Sequence, residues 1–281
     1  MSNCNDDFIT YRRKGTWRTY DGTNGLPGPV LAICQDRDGY LWLGHTSNRI
    51  SRFDGEEFTL YSNDDGMQGD FILAITQADD GTLWIAAENG LDRFDGQTFR
   101  HYTTNDGLGH DQVEAVVTDR DGRLWAGTLG GLSCLDLDGQ RFTNFTTQDG
   151  LADNRVMALL AAPDGSLWIG TQEGLSHFDA SQFTNYSTAD GLGDARVRAL
   201  ALSTADRPTD QTADRKTSLW IGTQGGLSHF DGNQFTHYTT ADGLIDDQIH
   251  DLAMDCNGDL WIGAQNGISV YDDGSFIKDR A

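Results

Sequence analysis

Three features of the 281-residue sequence predict an all-β fold, a six-bladed β-propeller of four-stranded antiparallel blades. The first is a repeat. Leu-Trp-Ile-Gly or a near variant starts at Leu41, Leu83, Leu124, Leu167, Leu219 and Leu260, which places tryptophans at Trp42, Trp84, Trp125, Trp168, Trp220 and Trp261. Their separations of 42, 41, 43, 52 and 41 residues fit the period of a propeller blade. The second is that each unit contains four short β-rich runs set apart by Asp-Gly or Gly-Gly turns. The third is that no segment carries the i, i+3, i+4, i+7 pattern of an amphipathic helix.

The elements of a unit follow in order. Strand a is an apolar-alternating run such as Val113-Glu114-Ala115-Val116-Val117. A polar turn follows, as in Asp119-Arg120-Asp121-Gly122, where Gly accepts the positive φ and Asp bonds the local backbone. Strand b is Leu-Trp-Ile-Gly, and strand c reads Leu-Ser-x-Phe-Asp-Gly. Strand d reads Phe-Thr-x-Tyr, and a longer Asp-Gly-Leu loop leads to the next unit. One such sheet cannot bury both faces, whereas six in a ring bury each face against a neighbour. The repeated Trp and aromatics such as Phe94, Phe99 and Tyr102, which recur as Phe230, Phe235 and Tyr238, are the expected filling between blades. Each fully buried ring stabilises by about 1.5–3 kcal/mol.

The expected organisation is an N-terminal extension, residues 1–15, and one propeller domain, residues 16–281, with an insertion at 203–218 in the fifth repeat. Trp17-Arg18-Thr19-Tyr20 matches strand d and precedes Asn24-Gly25-Leu26, a version of the Asp-Gly-Leu loop. The ring is therefore expected to be closed by this N-terminal strand, which would complete the last blade and protect its edge. Phe276-Ile277-Lys278-Asp279 also reads as strand d, which keeps seven blades as the alternative.

Charge and composition exclude some partners. With 43 acidic and 20 basic residues the net charge is −23, which repels nucleic acid and anionic membrane surfaces. No run of about 18 apolar residues exists, so no membrane insertion is expected. Met1 to Phe8 shows no basic stretch followed by an apolar one. This predicts a cytoplasmic location, or a periplasmic one if a leader has been removed. Cys4, Cys34, Cys134 and Cys256 are scattered and are expected to be free thiols.

The segment Asp164-Gly165-Ser166-Leu167-Trp168-Ile169-Gly170-Thr171, followed by Gly174-Leu175-Ser176-His177-Phe178-Asp179, resembles the two-component regulator propeller repeat. The resemblance runs from about Trp17 to Phe276. It implies the ligand-binding sensor region of bacterial sensor kinases, often periplasmic and in some members responsive to glycans. That family usually has more blades, often in two propellers, and a following Tyr-rich domain, membrane helix and kinase. None of these is in the sequence, so no kinase activity carries over.

In a repeat protein the shared positions build the fold and the unshared ones carry specificity. The d-to-a loops end beside the central channel. There the third and fourth residues after each Gly-Leu or Gly-Met differ between blades: Asp70 and Phe71, Asp111 and Gln112, Asn154 and Arg155, Ala195 and Arg196, Asp247 and Gln248. The first blade has a shorter loop through Pro27, Gly28 and Pro29. Asp70, Phe71, Asp111, Gln112, Asn154, Arg155, Arg196, Asp247 and Gln248 are the candidate ligand-binding ring, suited to a sugar or small polar ligand.

No catalytic residue and no metal site is assigned. Asp36-Arg37-Asp38-Gly39 lacks the EF-hand pattern and is read as turn chemistry. His177, His229 and Cys134 share one repeat position, but adjacent blades lie about 10 Å apart, too far to share one ion. No cofactor is expected, and a cation on the channel axis is the one arrangement left open. The expected function is a non-catalytic ligand-binding sensor, possible roles in two-component signalling included. Its partner would be a small polar molecule or oligosaccharide, or a protein, with no nucleic acid. The alternatives are a protein-protein interaction scaffold using the flat faces and the insertion, and a propeller-type lyase with His110, Asp111, Arg155 and Asp247 as acid and base.

Overall fold

The computed structural model describes residues 19–136, 139, 141–203, 218–255, 257–272 and 275–277. Blade 1 is β1 (Val30–Gln35), β2 (Leu41–His45), β3 (Arg49–Phe53) and β4 (Phe58–Ser62). Blade 2 is β5 (Ile72–Gln77), β6 (Leu83–Ala87), β7 (Gly90–Phe94) and β8 (Phe99–Tyr102). Blade 3 is β9 (Val113–Thr118), β10 (Leu124–Thr128), β11 (Gly131–Leu135) and β12 (Phe142–Phe145). Blade 4 is β13 (Val156–Ala161), β14 (Leu167–Thr171), β15 (Gly174–Phe178) and β16 (Phe183–Tyr186). Blade 5 is β17 (Val197–Ser203), β18 (Ser218–Thr223), β19 (Gly226–Phe230) and β20 (Phe235–Tyr238). Blade 6 is β21 (Ile249–Met254), β22 (Leu260–Ala264), β23 (Gly267–Asp272) and β24 (Ser275–Ile277). Every sheet is antiparallel with its four strands in sequence order. The six-bladed, all-β expectation holds.

The turns form for the reasons their residues suggest. Gly39 and Gly122 take φ of 89° and 84° in the a-to-b turns. The turn Asp does more than shape the turn. Asp36 Oδ2 accepts from Trp42 Nε1 at 2.8 Å, and Asp119 Oδ2 from Trp125 Nε1 at 2.9 Å, so the Asp-rich loops hold the indole of their own blade. The four d-to-a loops that join blades 1 to 5 are short 3-10 turns with a capping box, for example Thr103 with Asp106 and Ser187 with Asp190.

The core lies between blades. Five apolar clusters join successive blades, one for each pair from 1–2 to 5–6. The b-strand Trp of one blade meets the c-strand aromatic of the next: Trp42 on Phe94, Trp125 on Phe178, Trp168 on Phe230 and Trp220 on Tyr271, at 5.9, 5.8, 6.0 and 4.9 Å. The a strands lie side by side around the axis, β1 against β5 and so on to β21.

One expectation is corrected. The fourth strand of blade 6 is β24, paired with β23 through Tyr271–Phe276, and not the N-terminal segment. Thr19 and Tyr20 belong to no strand, and Trp17 and Arg18 lie outside the described residues. A hairpin closes a very short loop, whereas joining the chain ends closes a very long one, so the local strand has the entropic advantage. The insertion and the extension 1–15 lie almost wholly outside the described residues.

Candidate functional site

The candidate ring sits where each d-to-a loop enters its a strand. The loop is pinned from below by the c-strand residue at the Ser position. Ser133, Ser176, Ser228 and Ser269 Oγ accept from the backbone N–H of Gly109, Ala152, Gly193 and Ile245, at 3.0 to 3.1 Å. In blade 2 Asp92 takes this place and accepts from Gly69 N.

The candidates then divide into two sets. Asp111, Asn154 and Asp247 each accept from a backbone N–H at the start of their own loop: Thr104 at 2.7 Å, Thr147 at 2.9 Å and Thr240 at 2.6 Å. These groups shape the loop. Asp70 instead accepts from the Phe71 amide at 3.0 Å. Of the acid-base candidates, His110 Nδ1 is engaged by the Gln112 amide, and Asp111 and Asp247 by the loop amides.

The next residue in each blade, Phe71, Gln112, Arg155, Arg196 or Gln248, is less constrained and tops its a strand. Gln112 Nε2 donates to Glu114 Oε1 at 2.9 Å, and Arg155 Nη2 lies 4.0 Å from the same oxygen. With its amide oxygen turned toward blade 5, Gln172 accepts from Arg196 Nε at 3.0 Å. Phe71 stands apart. It is 41% exposed and has φ of +49°, a left-handed backbone that costs a bulky side chain energy.

The sequence reading missed a second tier. Register shifts in every a strand place a bulge at Leu31, Leu73, Glu114, Met157, Arg198 and His250. Three of these are ionisable, and the Arg198 Nε is buried without a hydrogen-bond partner. His250 Nε2 meets Gln265 at 2.8 Å. The signal was available, since the second residue of strand a is polar only in blades 3, 5 and 6.

Also missed was the Asp92–His101 pair. Asp92 is fully buried, and His101 Nδ1 approaches its Oδ1 at 2.9 Å. Burial alone would lower the His101 pKa. The bond to Asp92 and its charge outweigh this and raise it. Five repeats carry Ser where this one carries Asp, which is the departure a repeat alignment exposes.

The shared histidines pack as expected of blade filling. His177 lies on Trp168 and His229 on Trp220, with ring centroids 4.2 and 4.3 Å apart. Burial lowers both pKa values. Among the described residues no cluster of His, Cys, Asp or Glu has metal-binding geometry. Cys34 and Cys134 are free thiols, and burial raises Cys134 to about 11. Cys4 and Cys256 lie outside the described residues. Clefts of about 520, 380 and 140 Å³ lie between blades 4 and 5, 2 and 3, and 1 and 2, beside Trp168, Trp84 and Trp42. Their recurrence at one repeat position marks them as a product of blade packing.

Six four-stranded antiparallel sheets of one repeat define the chain as a six-bladed propeller. The model of the two component regulator propeller family matches residues 24–47, 107–130 and 150–173. Comparison with curated proteins gives no match. Among solved structures, the extracellular domain of BT4673 from B. thetaiotaomicron is similar, with 19% identity, a TM-score of 0.60 and 88% of this chain covered. This chain spans only 39% of that one. A catalytically inactive virginiamycin B lyase from Staphylococcus aureus with quinupristin has a TM-score of 0.67 and 16% identity, over 89% of this chain and 83% of that one. PorZ, a surface component of the type-IX secretion system of Porphyromonas gingivalis, has a TM-score of 0.61 and 14% identity, over 84% of this chain and 39% of that one. These likenesses are of fold. Among the described residues no helix is long and apolar enough to cross a membrane.

Proposed function

We propose that this propeller is a ligand-binding sensor module of the two-component regulator type, taking a sugar or small polar ligand across its channel mouth. The observation that carries the reading is Phe71, an exposed aromatic held in a left-handed backbone at the ring position where other blades carry Gln or Arg. Strain of this kind persists where surrounding structure enforces it, and it concentrates at ligand sites. An exposed ring face offers a stacking surface for a sugar. Arg155, Arg196 and Gln112 supply donors around it, and the half-buried Arg198 adds a cation with a buried, unpartnered Nε in a chain of net charge −23. An acidic sugar or other carboxylate-bearing ligand suits this set. Such a module belongs outside the cytoplasm, and the BT4673 likeness, an extracellular domain, accords with that better than the cytoplasmic expectation.

The test is a thermal-shift screen of neutral and acidic oligosaccharides, because a ligand bound only to the folded state raises the melting temperature. The expected result is a saturable shift, lost in Phe71→Ala and in Arg196→Ala. A shift that persists in both variants moves the site away from the mouth. No shift from any sugar or small polar compound defeats the reading.

A further inference from the structure

Blades 1 to 5 each close on the next blade by recurring contacts that blade 6 lacks among the described residues. The second c-strand residues Ile50, Leu91, Leu132, Leu175 and Leu227 are fully buried, whereas their counterpart Ile268 is 63% exposed. Trp42, Trp84, Trp125 and Trp220 are buried, and Trp261 is 44% exposed. A Cβ added to Gly44, Gly127, Gly170 or Gly222 would press on the first a-strand residue of the next blade: Ile72, Val156, Val197 or Ile249, at 2.5 to 2.6 Å. Added to Gly263, it would meet only Asp251 of its own blade. The facing side of blade 1 matches. Ile33 is 68% exposed, although its counterparts Ile75, Val116, Leu159, Leu200 and Leu252 all join the core. No packing of the kind that joins other a strands joins β21 to β1.

Tyr20 tells what belongs in between. Its ring packs on Phe53 and Phe58 at 5.0 and 5.5 Å. In the same way Tyr186 packs on Phe230 and Phe235 at 5.2 and 5.6 Å, and Tyr238 on Tyr271 and Phe276 at 5.8 and 5.5 Å. Tyr186 and Tyr238 end the d strands of the preceding blades. The loop after Tyr20 has the same capping box, Asp21 with Asn24, and Leu26 N donates to Asp21 O as Leu108 N does to Thr103 O. Tyr20 therefore sits at the outer-strand position of a blade that precedes blade 1. Blade 6 is not that blade, because β24 already fills its outer place.

We infer that the gap between blades 6 and 1 is a docking slot for one further sheet of this same repeat, its a, b and c strands, apolar on both faces, with Tyr20 at its outer-strand position. The faces it meets are continuous with five formed interfaces, which specify its chemistry: a β-branched residue at the start of strand a to fill the space over Gly263, and a b-strand Trp to cover Phe53. The inference stands apart from the ligand reading at the mouth.

Appending a copy of residues 148–178 directly after Ala281 tests it. This keeps the repeat spacing, because Ala281 follows Phe276 as Thr147 follows Phe142. The appended chain is compared with the parent by thermal melting, sizing chromatography and acrylamide quenching, with Trp261→Phe counterparts isolating the Trp261 signal. The expected result is a monomer that melts more than about 5 °C higher, with quenching of Trp261 at least about twofold weaker. Ile33→Asp and Ile268→Asp change exposed positions, so each lowers the parent melting by no more than about 3 °C and removes the gain from the appended chain. Three results would overturn the inference. Trp261 already shielded in the monomeric parent means that the six blades close on themselves. Trp261 shielded only in a concentration-dependent dimer means that a second copy fills the slot. An appended repeat that changes neither melting nor quenching means that the faces do not accept a blade.

Discussion

Leu227 and Ile268 occupy one repeat position in neighbouring blades, which permits a controlled comparison inside one chain. Leu227 is fully buried in the cluster joining blades 5 and 6, and Ile268 is 63% exposed on the far face of blade 6. Truncation to Ala removes a similar amount of hydrocarbon from each. At Leu227 the loss combines transfer and cavity terms, about 2–5 kcal/mol. At Ile268 only a minor part of the side chain leaves water on folding, so the loss is about 1 kcal/mol or less. At roughly 2–4 °C per kcal/mol for a domain of this size, Leu227→Ala lowers the melting temperature by on the order of 10 °C and Ile268→Ala by about 2 °C or less. Differential scanning calorimetry on the two variants and the parent measures both, and urea unfolding checks the order. Equal losses would refute the reasoning, because they would require the outer face of blade 6 to be buried as the others are.

Other outcomes follow from particular contacts. Asp119→Ala strips acceptors from the Trp125 indole, Arg123 Nε and the Asp121 and Arg123 amides, and is expected to cost about 2–4 kcal/mol in urea unfolding. The raised His101 pKa means that its stabilisation is complete below the unfolded value of about 6.5 and is lost as pH rises through the folded value. The double change Asp92→Ser with His101→Asn installs the pairing seen at Ser133–Asn144 and Ser176–Asn185. It should flatten this part of the pH–melting profile, and an unchanged profile would assign the titration elsewhere. Phe71→Gly relieves the left-handed strain and should raise stability by about 1 kcal/mol while abolishing a sugar-induced thermal shift, an opposition that a purely structural Phe71 would not produce.

Much of the fold was legible because a repeat reports itself. The Trp spacing and the Asp-Gly turns are local, and each element of a unit is decided by its own few residues and confirmed by its copies. The candidate ring was legible in part for the same reason: positions that vary against a constant background stand out. Its internal division was not. That Asp111 and Asp247 are spent on loop amides while Arg155 and Arg196 top the inner strands depends on which way each side chain leaves the loop.

The bulge residues, Glu114, Arg198 and His250 among them, depend on a one-residue shift in strand pairing that alternation alone does not reveal. The sequence by itself determined that this protein is made of six like sheets with aromatic faces. Which strand ends the last sheet, and that its outer face and that of blade 1 stay uncovered, only the tertiary structure decided. Trp17 to Tyr20 and Phe276 to Asp279 carry equivalent d-strand patterns. A local pattern specifies what a segment can pair with, and the choice between two equal candidates rests on loop closure and on which faces meet in space.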